Sequence, residues 1–217
     1  MSTDMTPPGL QRPFRGKLDA LFLAFFLALL LAAAARADAP GKVVRTPTGE
    51  VTVAMEVAGE DLPQEGIARG VIEAPPERVH RALTDYAHWE EFMPFLEGSD
   101  ARRQPDGSVL SRQRMVLPFP LGERRYEIRA TSRVEETAQG KIWRTVWDYV
   151  PGSGNIAGHR GSWTLTALSK SRTLAVCRIY TDPGGSAPRW AMDRATAETL
   201  PWILHGLRQH VRRSRYD

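Results

Sequence analysis

Apolar and polar residues alternate with a period of two through much of the chain, and this pattern predicts strands. Val109–Leu117 (VLSRQRMVL), Arg124–Glu135 (RRYEIRATSRVE), Lys141–Val150 (KIWRTVWDYV), Arg160–Leu168 (RGSWTLTAL) and Thr173–Thr181 (TLAVCRIYT) carry it. Two earlier segments, Glu50–Val57 (EVTVAMEV) and Gly66–Glu73 (GIARGVIE), do the same. Short links such as Pro105-Asp106-Gly107 and Gly152-Ser153-Gly154-Asn155 join the later strands, so an antiparallel meander is the simplest topology.

The period becomes helical in two places. Ala74-Pro75-Pro76-Glu77 opens a helix with prolines in its first turn, where a missing N–H costs little. Val79, Ala82, Leu83 and Tyr86 give it one apolar face. Trp89–Leu96 (WEEFMPFL) predicts a short second helix broken near Pro94. A long last helix runs from about Pro188 to Arg213, with Met192, Ala195, Thr199, Ile203, Leu207 and Val211 as its apolar stripe. Pro201 falls inside it, removes a backbone bond and favours a kink that would open one end as a gate. Together these elements predict an α+β fold: a curved antiparallel sheet wrapped around a long C-terminal helix, with an internal cavity between them. Arg144 and Asp148 share one side of their strand, and Trp143, Trp147 and Tyr149 share the other. Inward-facing charges would make the cavity partly polar; outward-facing ones would be ordinary surface, and the pattern leaves both open.

The chain of 217 residues begins with a basic lead (Arg12, Arg15, Lys17), an apolar run Leu21–Ala35 and an Ala35-Arg36-Ala37 triplet. That order predicts a secretory signal peptide over residues 1–37, and hence an exported, periplasmic or secreted protein; if the leader is uncleaved, it is a membrane anchor. Residues 38–65 read as a lead-in containing the extra Glu50–Val57 strand, 66–213 as the main domain and 214–217 as a tail. The net charge of +4 gives little support to nucleic-acid binding. With four basic and two acidic residues in the leader, the remainder carries 25 basic and 23 acidic groups. The densest basic cluster is Arg208, Arg212, Arg213 and Arg215, which suits either a helix C-terminus or contact with anionic lipid. A single cysteine, Cys177, excludes an intramolecular disulfide and reads as a buried thiol.

No catalytic constellation stands out, and no cofactor or metal is expected. The Gly152–Gly158 stretch imitates a dinucleotide-binding fingerprint but sits between two strands, where it is better read as a hairpin loop. There is no G-x-S-x-G elbow. The five histidines (His80, His88, His159, His205, His210) show no ligand spacing. The six tryptophans are unusual in number; each alone suits a core, and together they suit a pocket for a large apolar ligand.

Three stretches carry a resemblance to a known family: Glu73–Leu96 (EAPPERVHRALTDYAHWEEFMPFL), Trp163-Thr164-Leu165 after GHRGSW, and Tyr180–Leu207 with its DPGG loop followed by Pro, Trp and a "P..L..L" helix. They resemble the START-type helix-grip domains of the SRPBCC superfamily, which also includes coenzyme-Q-binding proteins and polyketide aromatase/cyclases. The resemblance covers roughly residues 66–213. It implies a lipid, sterol, isoprenoid or polyketide held beneath the last helix. The leader and the Glu50–Val57 segment depart from the family pattern.

The expectation is therefore an envelope protein that binds, or carries, a hydrophobic small molecule or lipid without catalysis, with peripheral membrane contact as a further partner and no nucleic acid. Trp89, Phe92, Met93, Tyr126, Trp143 and Arg144 are expected to line the ligand site, with Trp147, Trp163, Trp190, Met192 and Ile203. Two alternatives stay open: a cyclase or aromatase using Arg144, Asp148, Tyr126 and Arg178 if they face inward, and a non-catalytic interaction domain with a filled interior.

Overall fold

A computed structural model describes residues 41–57, 64–119, 121–138, 140–185 and 188–216. The predicted leader, 1–37, lies outside them. Strands β1 (Lys42–Thr46), β2 (Gly49–Val57) and β3 (Gln64–Ile72) precede helix α1 (Pro76–Thr84) and a 3₁₀ segment, Tyr86–Glu91. Six strands follow: β4 (Leu96–Arg103), β5 (Val109–Leu117), β6 (Gly122–Thr137), β7 (Gly140–Tyr149), β8 (Gly158–Ser169) and β9 (Arg172–Asp182). Helix α2 (Arg189–His210) and a final 3₁₀ turn, Ser214–Tyr216, close the chain.

The nine strands form one antiparallel sheet in the order β1-β2-β3-β9-β8-β7-β6-β5-β4. The chain leaves β3 near the middle, crosses through α1 and the 3₁₀ segment to the far edge at β4, and then meanders back to β9. The sheet does not close, so β1 and β4 are its edges. It is the expected START-like helix-grip architecture.

Period-two patterning sets the two faces. Tyr126, Ile128 and Ala130 of β6, Trp143, Thr145 and Trp147 of β7, and Ala175, Cys177 and Ile179 of β9 are buried on the inner face. The alternate positions carry cross-strand ion pairs on the outer face: Arg112–Glu127 at 3.0 Å, Arg160–Glu65 at 2.9 Å and Arg178–Glu56 at 2.8 Å. Such pairs stabilise the sheet by at most about 1 kcal/mol each.

Four local expectations are corrected. Strand β1 was not expected; only five residues long, it adds to the edge beside β2. Strand β4 (LEGSDARR) also went unpredicted, because Leu96 is its only fully buried residue and its other side chains are small or charged, as befits an edge. Trp89–Leu96 is not a second helix. The 3₁₀ segment ends at Glu91, a turn follows with Phe95 in the left-handed region at φ 64°, and Leu96 already belongs to β4. The buried stripe of α2 runs Leu200, Ile203, Leu204, Leu207 and Val211. Of the expected stripe, Ile203, Leu207 and Val211 are buried, whereas Ala195 is exposed and Met192 and Thr199 are half-buried, because the N-terminal half of the helix is less covered than its C-terminal half.

Candidate functional site

The inner face of the sheet carries a continuous aromatic surface. Trp89, from the 3₁₀ segment, packs edge-on against Trp147 with ring centroids 5.4 Å apart, and against Phe92 at 6.2 Å. Tyr86 lies 5.0 Å from Trp89. The Trp89 indole N–H donates to the carbonyl of Leu83 at 3.0 Å, which ties the 3₁₀ segment to the end of α1. Opposite Trp147 on β8 stands Gly161; a Cβ there would overlap the indole and the Arg178 carbonyl, so only glycine leaves the ring room to lie flat.

Below this surface sits a buried polar relay. The Trp147 indole N–H donates to His159 Nε2 at 3.0 Å, and His159 Nδ1 lies 2.9 Å from the Thr181 hydroxyl. Tyr126 packs against the same imidazole at a tilt, with ring centroids 5.3 Å apart. With Nε2 accepting, Nδ1 carries the proton and the ring is neutral. Burial pushes the His159 pKa down to about 4. Desolvation also raises the hydroxyl pKa values of Tyr126 and Tyr86 and the Cys177 thiol, so all three stay protonated at neutral pH. A second relay anchors the C-terminus: the Tyr216 hydroxyl donates to Asp85 Oδ2 at 2.8 Å and lies 2.7 Å from His210 Nε2.

The structure places the expected ligand residues in three groups. Trp89, Phe92, Tyr126, Trp143, Trp147, Trp163 and Ile203 are buried in the interior, and Met93 is half-buried against it. Met192 lines a small cleft of about 70 Å³ with Gln64, Tyr180 and Thr196 beside the N-terminal half of α2. Two side chains are elsewhere. Arg144 points to the outer face, with Nε 3.0 Å from Glu135, because its strand parity opposes that of Trp143 and Trp147. Trp190 is 69 % exposed at the start of α2. Of the polar groups considered for catalysis, Asp148 is exposed and Arg178 is paired outside, so only Tyr126 faces in.

Sequence reasoning missed the interior polar atoms. His159, Gln113 and Ser111 are buried. Trp163 Nε1, Gln113 Nε2 and the Tyr86 hydroxyl have no protein hydrogen-bond partner. The parity of β5 would have turned Gln113 and Ser111 inward, but their polarity argues for the opposite face. The basic tail is also partitioned: Arg213 and Arg215 pair with Glu91 at 3.1 and 3.0 Å, whereas Arg208 is buried. The larger cleft, about 330 Å³, lies at the C-terminal end of α2 and is lined by Arg78, Arg208 and Arg212 among others. Among the described residues no group of three or more His, Cys, Asp and Glu forms a metal site, and no helix is long and apolar enough to cross a membrane.

Residues 72–208 match the family described as polyketide cyclase / dehydrase and lipid transport. No curated protein sequence matches the chain. Among solved structures, a STAR-related lipid transfer protein fragment from Xanthomonas axonopodis aligns with a TM-score of 0.66 at 20 % identity, covering 81 % of this chain and all of that one. Human StAR-related lipid transfer protein 5 aligns with a TM-score of 0.64 at 16 % identity, over 90 % of this chain and 97 % of its own. The Zhui aromatase/cyclase from Streptomyces sp. R1128 aligns at 0.53 and 15 % identity, over 70 % and 96 %. At these identities the likeness is one of fold.

Proposed function

Because the chain belongs to the polyketide cyclase / dehydrase and lipid transport family, we propose that it binds an apolar small molecule between the sheet and α2, in the cell envelope, and does no chemistry on it. The observation that carries this reading is the aromatic inner surface built from Trp89, Trp147, Trp163 and Tyr126. Sites for such ligands are lined by aromatic and aliphatic groups with a few polar atoms to fix orientation. Trp163 Nε1, Gln113 Nε2 and the Tyr86 hydroxyl are buried donors available for that purpose. A lipid-sized ligand enters as the N-terminal half of α2 moves off β3. That half buries little: no described side chain of α2 before Leu200 is fully buried.

Two features support a site of uptake at a membrane surface. Phe119, 97 % exposed, and Trp190 are exposed aromatics of the β5–β6 turn and of the start of α2, and Arg124 Nε, donating to the Pro183 carbonyl at 2.7 Å, joins that turn to the loop before α2. Exposed aromatics of this kind suit a bilayer interface. The leader-like residues 1–37 support export. Binding without chemistry is supported by the outward placement of Arg144, Asp148 and Arg178. Titration of the purified protein with fatty acids, phospholipids and isoprenoid quinones, read by tryptophan emission, tests the reading. A saturable change with one class supports it; a flat response to every class counts against it.

A further inference from the structure

The cleft at the C-terminal end of α2 is chemically unlike the aromatic interior. The β1–β2 turn at Thr48–Glu50, the end of β3 at Val71–Ala74 and the arginines 78, 208 and 212 surround it. Arg208 is 6 % exposed. Its Nε donates to the Val71 carbonyl at 2.8 Å, and Nη2 donates to the Glu50 carbonyl at 2.8 Å. The third nitrogen, Nη1, is buried with no hydrogen-bond partner. It lies beside Gly49 in the cleft wall, where a Cβ would sit 3.4 Å from it. A buried cationic donor left unpaired is costly, and an anion received in the cleft would remove that cost.

Three arginines face two carboxylates in the cleft lining. Glu50 pairs with Arg45 and Glu73 with Arg172, each at 3.2 Å, and Glu73 also acts through space on Arg208. Arg78 Nε caps the Val211 carbonyl at 2.9 Å, which keeps its guanidinium on the cleft wall. Arg212 is exposed at the rim. Guanidinium groups match the oxygens of phosphate in shape and in number of donors. A volume of about 330 Å³ admits a phosphate with a short organic substituent.

We propose that this cleft binds the phosphate group of a small organic phosphate or of a lipid headgroup, with Arg208 Nη1 as the buried donor and Arg212 as the rim donor. The site is independent of the apolar interior and stands whether or not that interior takes a ligand.

The test uses the purified protein in two arms. In the first, inorganic phosphate and glycerol 3-phosphate are titrated against chloride at matched ionic strength, read by calorimetry and thermal shift. In the second, the protein is co-sedimented with phosphatidylcholine vesicles, with and without phosphatidic acid. Arg212→Glu, at an exposed position, should keep the fold and weaken phosphate binding about tenfold or more. Arg208→Lys keeps the charge but cannot reach both carbonyls and the cleft, and should weaken it as well. Saturable binding in the first arm, lost in Arg212→Glu, supports a soluble phosphate. Binding confined to phosphatidic acid vesicles, lost in the same variant, supports a headgroup. No saturable response in either arm, or a response that Arg212→Glu leaves unchanged, overturns the proposal.

Discussion

Trp147, a ring of the aromatic inner surface, donates its indole N–H to Nε2 of His159 at 3.0 Å, and both side chains are buried. This bond holds the histidine neutral, with its pKa lowered to about 4 by burial. The unfolded chain binds a proton near the ordinary value of about 6.5. Below that pH the unfolded state therefore takes up a proton that the native state refuses, and stability falls as pH falls from about 6.5 to about 4.

The expected loss across that window is about 3 kcal/mol, to which the lowered pKa values of His80 and His210 add in the same direction. Urea unfolding between pH 7 and pH 4 measures it, and a His159→Leu variant should show a shallower slope. An unchanged slope in that variant would remove His159 from the account.

Gly206 sets how closely α2 approaches the Phe92 turn: a Cβ at 206 would overlap the Phe92 carbonyl oxygen. In an exposed helix, alanine would stabilise relative to glycine by about 1 kcal/mol. Here Gly206→Ala should destabilise by about 1–3 kcal/mol, because backbone must shift. Thermal unfolding decides the sign.

Trp147→Ala should destabilise by about 3–5 kcal/mol, since it empties a fully buried site. Arg144→Ala should cost under about 1 kcal/mol, as its partner Glu135 is on the outer face and both are partly exposed. The ligand response of Arg144→Ala should match that of the unaltered protein. A lost response would return Arg144 to the binding site.

If α2 moves to admit ligand, pinning its N-terminal half should block uptake. A Cβ on Gly66 would lie within side-chain reach of Thr196, so the pair Gly66→Cys and Thr196→Cys can link β3 to α2. The oxidised variant should take up no lipid and recover on reduction; uptake unaffected by oxidation would require another entrance. Cys177 does not interfere, being buried with a raised thiol pKa.

The long strands and both helices were legible in the sequence because their patterning is strong. The 3.6-residue spacing of Val79, Ala82 and Leu83, and the alternation through Trp143, Thr145 and Trp147, each report a buried face directly. Strand β4 was illegible because an edge strand needs few apolar residues. The α2 stripe was legible at Ile203, Leu207 and Val211 and misread at Met192 and Ala195, which continue the helical spacing into the less covered half of the helix. Parity left Arg144 ambiguous until pairing with Glu135 put it outside. The Arg208 cleft had no local signal at all: it joins residues 48–50, 71–74, 78 and 208–212, which only the fold brings together.

The most direct test of the central claim is native mass spectrometry of the protein purified from its expressing host, followed by organic extraction and identification of whatever accompanies it. The account predicts a bound apolar molecule that is released into organic solvent. A clean unliganded mass, with no uptake after incubation with lipid vesicles, would contradict it.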